Sequence, residues 1–256
     1  MCLILFAYRC HPVYRLVLAA NRDEFYARPT TPADFWEEAP EILAGRDLEA
    51  GGTWLGITSS GRFAALTNYR SPQRHQPKAP SRGNLVKDFL TGQTPPEQYL
   101  THIHPRGRDY NGFNLLAGDT MALFYYANQE GIVREPKPGI YGLSNHLLNT
   151  PWPKVDQGRS QLSALMKNQT SIHTESLFAI LADRSIPADR NLPDTGVGLE
   201  WERILSPLFI TSSDYGTRSS SILLWERTGK VTFLERTFHA PAADGSQETI
   251  IRQFTV

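Results

Sequence analysis

The chain has little cysteine, no net charge and no long apolar run, and each shortage removes a class of protein. Only Cys2 and Cys10 occur in 256 residues, so a disulfide scaffold is excluded and a reducing cytoplasm fits. Lys plus Arg and Asp plus Glu balance at 26 each, which argues against a dominant nucleic-acid or anionic-membrane role. No apolar run approaches the about 20 residues of a transmembrane helix. The apolar N-terminus lacks the basic start of a signal peptide, and Arg9 and His11 interrupt it. The expectation is a soluble cytoplasmic protein. Without a CxxC pair or an HExxH motif no structural zinc is expected, and without GxGxxG or a P-loop nucleotide binding has no support. His102 and His104 have a spacing that suits metal ligation on a strand, but residues 97–104 read as helix, so no metal site is assigned.

What is present fits one large α+β domain spanning residues 1–256. No linker or internal repeat divides it. The segment around Pro72, Pro77 and Pro80 reads as a surface loop. Its basic residues, including Arg70, Arg74, His75, Lys78 and Arg82, read as a solvated loop or as a seat for an anionic ligand. Strands are expected at 3–8, 15–20, 54–58 and 62–68, then a meander at 113–117, 121–127, 132–135 and 140–143. Helices are expected at 84–90, after Pro95-Pro96 and within 153–206, with Thr174 as a cap. Strands at 220–226 and 231–238 close the chain. The nearly all-apolar first two strands predict central positions covered on both faces.

Cys2 carries the chemistry. Once Met1 is removed it holds a thiol and a free α-amine, with ordinary pKa values of roughly 8.5 and 7.7–8.0, close enough for easy proton transfer. A hairpin centred on Pro12 pairs residues whose numbers sum to about 24. That register sets Cys2 opposite Arg22, with Asp23 beside it. A nearby Arg favours the thiolate, and an Asp can hold the amine. Taken singly, a cysteine near an N-terminus also reads as a small buried hydrophobe, and an Arg-Asp step as a surface ion pair.

Six segments in order carry a family resemblance: Met1-Cys2-Leu3-Ile4, Asn21-Arg22-Asp23-Glu24, Gly51-Gly52-Thr53-Trp54-Leu55-Gly56, Leu66-Thr67-Asn68-Tyr69-Arg70, Gly142-Leu143-Ser144-Asn145 and Tyr215-Gly216-Thr217-Arg218-Ser219. Together they resemble the NRDE family, also called the transport and Golgi organisation family, a branch of the N-terminal nucleophile hydrolases. The resemblance implies a four-layer αββα sandwich of two antiparallel sheets between helical layers. It is similar, more distantly, to the penicillin V acylases and bile salt hydrolases, which cleave amides with an N-terminal cysteine. Carried over, Cys2 matches the nucleophile, and Arg22 and Asp23 the groups near thiol and amine. Asn68 and Asn145 match the oxyanion site, and Arg218 the later arginine. One departure is visible. Arg22 and Asp23 are adjacent, and adjacent residues on a regular strand point to opposite faces.

Two functions follow from the resemblance. The first is a cysteine amidohydrolase, hydrolysing or transferring an acyl group at a non-peptide C–N bond of a small-molecule amide, with Trp54 and Tyr69 near the substrate and no cofactor. The second is a carrier of haem or a hydrophobic ligand, for which Cys10-His11 offers thiolate or imidazole ligands. In both, Asn68 and Asn145 could instead cap turns at strand ends.

Overall fold

A computed structural model describes residues 3–167, 171–240 and 249–256. Met1 and Cys2 lie outside the described residues. In chain order the strands begin with β1 (Leu3–Tyr8), β2 (Tyr14–Phe25), β3 (Thr30–Trp36), β4 (Ala39–Asp47), β5 (Leu55–Thr58) and β6 (Phe63–Asn68). Helices α1 (Gly83–Thr91) and α2 (Pro96–Ile103) follow, then β7 (Phe113–Gly118), β8 (Leu123–Ala127), β9 (Ile132–Arg134) and β10 (Gly139–Leu143). Helices α3 (Pro153–Lys167), α4 (Thr174–Leu181) and α5 (Leu199–Leu205) precede β11 (Tyr215–Glu226), β12 (Val231–Phe238) and β13 (Thr249–Thr255). No helix among the described residues is long and apolar enough to cross a membrane.

The chain divides into two compact units. The first comprises Met1–Ala27, Lys137–Ser144 and Leu148–Val256. Its antiparallel sheet runs β10-β1-β2-β11-β12-β13. Leu3, Leu5, Ala7, Val17 and Ala19 form one core with Leu162 of α3 and Leu177, Phe178 and Leu181 of α4. The alternate set, Ile4, Phe6, Leu16 and Leu18, is buried too, so β1 and β2 are covered on both faces as their composition requires. The hairpin register is the expected one: Leu3 pairs with Asn21, Phe6 with Leu18 and Tyr8 with Leu16, each pair summing to 24.

The second unit comprises Arg28–Pro136 and Asn145–Leu147. Its sheet is an uninterrupted antiparallel run from β3 to β9. Leu85, Val86 and Phe89 of α1 and Leu100 and Ile103 of α2 pack on Ile42, Ala64, Leu66 and Leu115. The two glycines before Trp54 have different causes: Gly51 takes a positive φ of 71°, and Gly52 is needed for close approach. A Cβ on Gly52 would lie 2.5 Å from the backbone carbon of Gly83, at the start of α1.

Three expectations are corrected. The meander ends at β9, and β10 instead pairs with β1, Ile4 against Leu143. Pro136 and Pro138 precede β10 in the chain and cannot donate to a ladder. Thr174 is the first residue of α4 rather than its cap, a position held by His173. The closing strand β13 was not anticipated, because Ile250 and Ile251 are consecutive and exposed, which defeats the alternating pattern.

Candidate functional site

In the first unit, the last described pair of the β1–β2 ladder is Leu3 with Asn21, and Arg22 and Asp23 follow it. They are 4% and 2% exposed, which rules out the surface ion pair. β2 continues there against β11, with Asp23 opposite Thr217 and Arg22 opposite Ser219. The residue left over between those two pairs is Arg218, so it is the extra residue of a β-bulge. Bulges re-aim side chains and recur beside active sites.

The bulge fixes its neighbours by hydrogen bonds. Thr217 Oγ1 donates to Asp23 Oδ1 at 2.7 Å and accepts from Ile210 N at 2.9 Å. Arg218 Nη1 donates to the carbonyls of Phe25 and Tyr26, at 2.9 and 3.1 Å. It therefore clamps the end of β2, and burial pushes its guanidinium below the usual arginine range. Gly216 is required beside it, since a Cβ there would meet the Tyr26 hydroxyl. Asn21 is wholly buried and structural. Its Nδ2 donates to Leu181 O at 2.9 Å and Leu208 O at 2.8 Å, and its Oδ1 accepts from Ser220 Oγ at 2.6 Å.

The second unit brings Asn68 and Asn145 together. Asn145 is 5% exposed and its Nδ2 donates to the Asn68 carbonyl at 3.0 Å. Its Oδ1 accepts from Arg70 Nη2 at 3.3 Å, and its carbonyl from Arg70 N at 2.7 Å. The next residue, His146, is held by Tyr69, whose hydroxyl lies 2.8 Å from Nε2 with the rings 4.8 Å apart. Burial lowers the His146 pKa and raises that of Tyr69. Asn114 secures the segment from below, its Nδ2 donating to His146 O at 2.9 Å and Thr67 Oγ1 at 3.0 Å. Asn68 and Tyr69 line a cavity of about 440 Å³ with Arg70, His75 and Arg82.

Trp54 is placed elsewhere. Its indole covers Gly45, where a Cβ would lie 2.4 Å from the ring, and it does not line that cavity. Nor does Cys10-His11 fit haem. His11 is 2% exposed rather than an exposed turn residue. Its Nδ1 accepts from Val13 N and Tyr14 N, both at 3.2 Å. That fixes the ring proton on Nε2 and leaves no lone pair for iron. Cys10 is an exposed residue whose thiol donates to Gly139 O at 3.4 Å, and the partial desolvation of that thiol raises its pKa, which disfavours the thiolate. Among the described residues no three His, Cys, Asp or Glu side chains could hold a metal ion.

Sequence reasoning did not assign roles to Thr217 and His146, although each lies inside or beside a segment already singled out. The signal was adjacency to Arg218 and Asn145. A cysteine nucleophile at Cys2 lies outside the described residues.

Comparison with known proteins adds to this geometry. A family model described as Transport and Golgi organisation 2 matches residues 1–240. The mouse Transport and Golgi organization 2 homolog is 40% identical over 258 residues, covering 92% of each chain. The Drosophila melanogaster protein of that name is 30% identical, covering 93% of this chain and 92% of its own. Among solved structures, a Caenorhabditis elegans N-acylethanolamine-hydrolyzing acid amidase ortholog aligns with a TM-score of 0.51 at 10% identity, over 87% of this chain and 92% of its own. A conjugated bile acid hydrolase variant from Clostridium perfringens gives 0.50 at 10% identity, over 99% and 96%. At such identity the likeness is one of fold. The chain carries two antiparallel sheets with helices packed on each, the α+β class expected from the sequence.

Proposed function

The chain belongs to the Transport and Golgi organisation 2 family, and we propose that it works as an N-terminal cysteine amidohydrolase. The observation that carries this reading is the buried Arg22-Asp23 step, immediately after Asn21, whose ladder partner is Leu3. Cys2 is the residue covalently before Leu3. The hydrolase-type scaffold supports the reading further.

In the proposed reaction Met1 is removed and the α-amine of Cys2 takes the thiol proton. The thiolate attacks the acyl carbon of a small-molecule amide. Arg22 favours the thiolate, and Asp23, oriented by Thr217, holds the ammonium. Asn68 and Asn145 donate hydrogen bonds to the oxyanion, an effect worth about 2.7–4 kcal/mol per donor in the transition state. The C–N bond breaks, the amine leaves with the proton, and a thioester remains. Water or another acyl acceptor then attacks the thioester and releases the acyl product, returning a proton to sulfur. Arg218 is a positioning residue that clamps the end of β2, and Tyr69 belongs to the substrate cavity. The compartment proposed is the cytoplasm, where both thiols stay reduced.

The test is the intact mass of protein from its native host, before and after an electrophilic acylating probe. The expected result is loss of Met1, with one label on Cys2 in preference to Cys10. Cys2→Ala should then abolish labelling and turnover while leaving the unfolding midpoint unchanged. Full retention of Met1 with an inert Cys2 would sink the mechanism.

A further inference from the structure

The loop joining β6 to α1 forms a basic seat. Arg70, His75 and Arg82 line the cavity of about 440 Å³ that also takes in Asn68 and Tyr69. A neighbouring cavity of about 280 Å³ is lined by Arg74 and Arg108. Ser71 and Gly112 line both. Neither lining contains an Asp or Glu, although acidic and basic residues are equal in number over the whole chain. Segregation of one sign in a neutral protein raises the local potential for an oppositely charged ligand.

The seat is also held in shape. Asn111 clamps the loop tip at two points, its Oδ1 accepting from Gln76 N at 2.8 Å and its Nδ2 donating to Gln76 O at 2.9 Å. Arg82 Nη1 donates to Gly112 O at 2.9 Å, Arg70 Nη2 to Asn145 Oδ1 at 3.3 Å, and Arg74 Nη1 to Gln129 Oε1 at 3.2 Å. Neutral oxygens thus orient three guanidinium groups. Guanidinium forks match phosphate oxygens bidentately, and two adjoining compartments suit more than one such group.

We propose that this seat binds a small ligand carrying phosphate-type oxyanions, with Arg70 and Arg82 as the principal contacts and Arg74 and Arg108 serving a second anionic group. The inference shares Asn68 and Tyr69 with the amidohydrolase reading, and its Arg70 also bonds Asn145. Binding is measured without turnover, so either idea can fail alone.

The experiment is calorimetric titration of the full chain with pyrophosphate, inorganic phosphate and acetate. Affinity should fall in that order, and pyrophosphate affinity should weaken as salt rises. Arg82→Gln and Arg70→Gln should each weaken pyrophosphate about tenfold, while Arg82→Lys, which keeps the charge, loses less. Arg106→Gln, outside both cavities, should leave affinity unchanged, and unfolding midpoints identify any variant that has lost its fold. If Arg70→Gln does not fold, Arg82→Gln decides the matter. Absence of saturable pyrophosphate binding, or binding indifferent to Arg82→Gln, would overturn the proposal. So would a single-stranded RNA oligomer that binds far more tightly than pyrophosphate and is equally weakened by Arg106→Gln, since that outcome marks a general basic surface.

Discussion

Thr217 donates its hydroxyl proton to Asp23 at 2.7 Å across a β-bulge, and both side chains are buried. The same hydroxyl accepts from the backbone of Ile210, so one small residue serves one oxygen of a carboxylate and a backbone amide at once. Thr217→Val keeps the shape and removes both partners. Unfolding by urea should show a loss of about 2–4 kcal/mol, since a hydrogen bond to a charged group and a buried donor are both forfeited. Thr217→Ser should recover most of it. Equal losses in the two variants would mean that packing, not the hydroxyl, holds the bulge.

Asn21 makes a comparable prediction on the opposite side of the ladder. Its amide serves two carbonyls from distant segments and accepts from Ser220. Asn21→Ala leaves Leu181 O and Leu208 O without that donor. The expected destabilisation is about 3 kcal/mol or more, and Asn21→Asp should be no better, because it replaces the donor with an acceptor.

These polar pairs also explain what the sequence hid. The β1–β2 register was legible because every apolar residue there has a place on one of two buried faces. β11 was legible only from Ser220 onward. Residues 215–219 look like loop by hydropathy, yet they extend the strand against Arg22 to Phe25, and Thr217 bonds Asp23 there. Local periodicity registers burial of apolar groups and is blind to buried polar groups that satisfy each other. The pairing of β10 with β1 was invisible for another reason: it joins residues 131 to 139 positions apart, from Tyr8 with Gly139 to Ile4 with Leu143, a separation on which periodicity within a window is silent. At the site, the residue types were legible and their partners were not. Asn68 and Asn145 were both identified, but nothing local says that one donates to the carbonyl of the other.

His146 gives a pH prediction. Burial lowers its pKa, so between the folded value and the ordinary value of about 6.5 the unfolded chain binds more protons. Stability therefore rises with pH across that window. The contribution is fully present above about pH 6.5 and is lost as pH falls toward the folded value. Urea unfolding of wild type and His146→Gln should show a stability gap at about pH 7.5 that narrows by about pH 5.5. A gap independent of pH would mean that His146 does not titrate with unfolding.

Asn145→Asp isolates the bond to Asn68. The carboxylate still accepts from Arg70 and gains charge attraction there. It can no longer donate, however, and sets two acceptors against each other at the Asn68 carbonyl. The second effect should win at neutral pH, because an acceptor facing an acceptor in a site this buried loses the hydrogen bond and adds repulsion. We expect destabilisation of about 1–3 kcal/mol at pH 7. Below the carboxylate range, near pH 4 or less, the protonated side chain can donate again, so the deficit relative to wild type should shrink. Urea unfolding at the two pH values decides it. An unchanged deficit would mean that the loss does not come from the donor facing the Asn68 carbonyl, and that bond would not be what stabilises the segment.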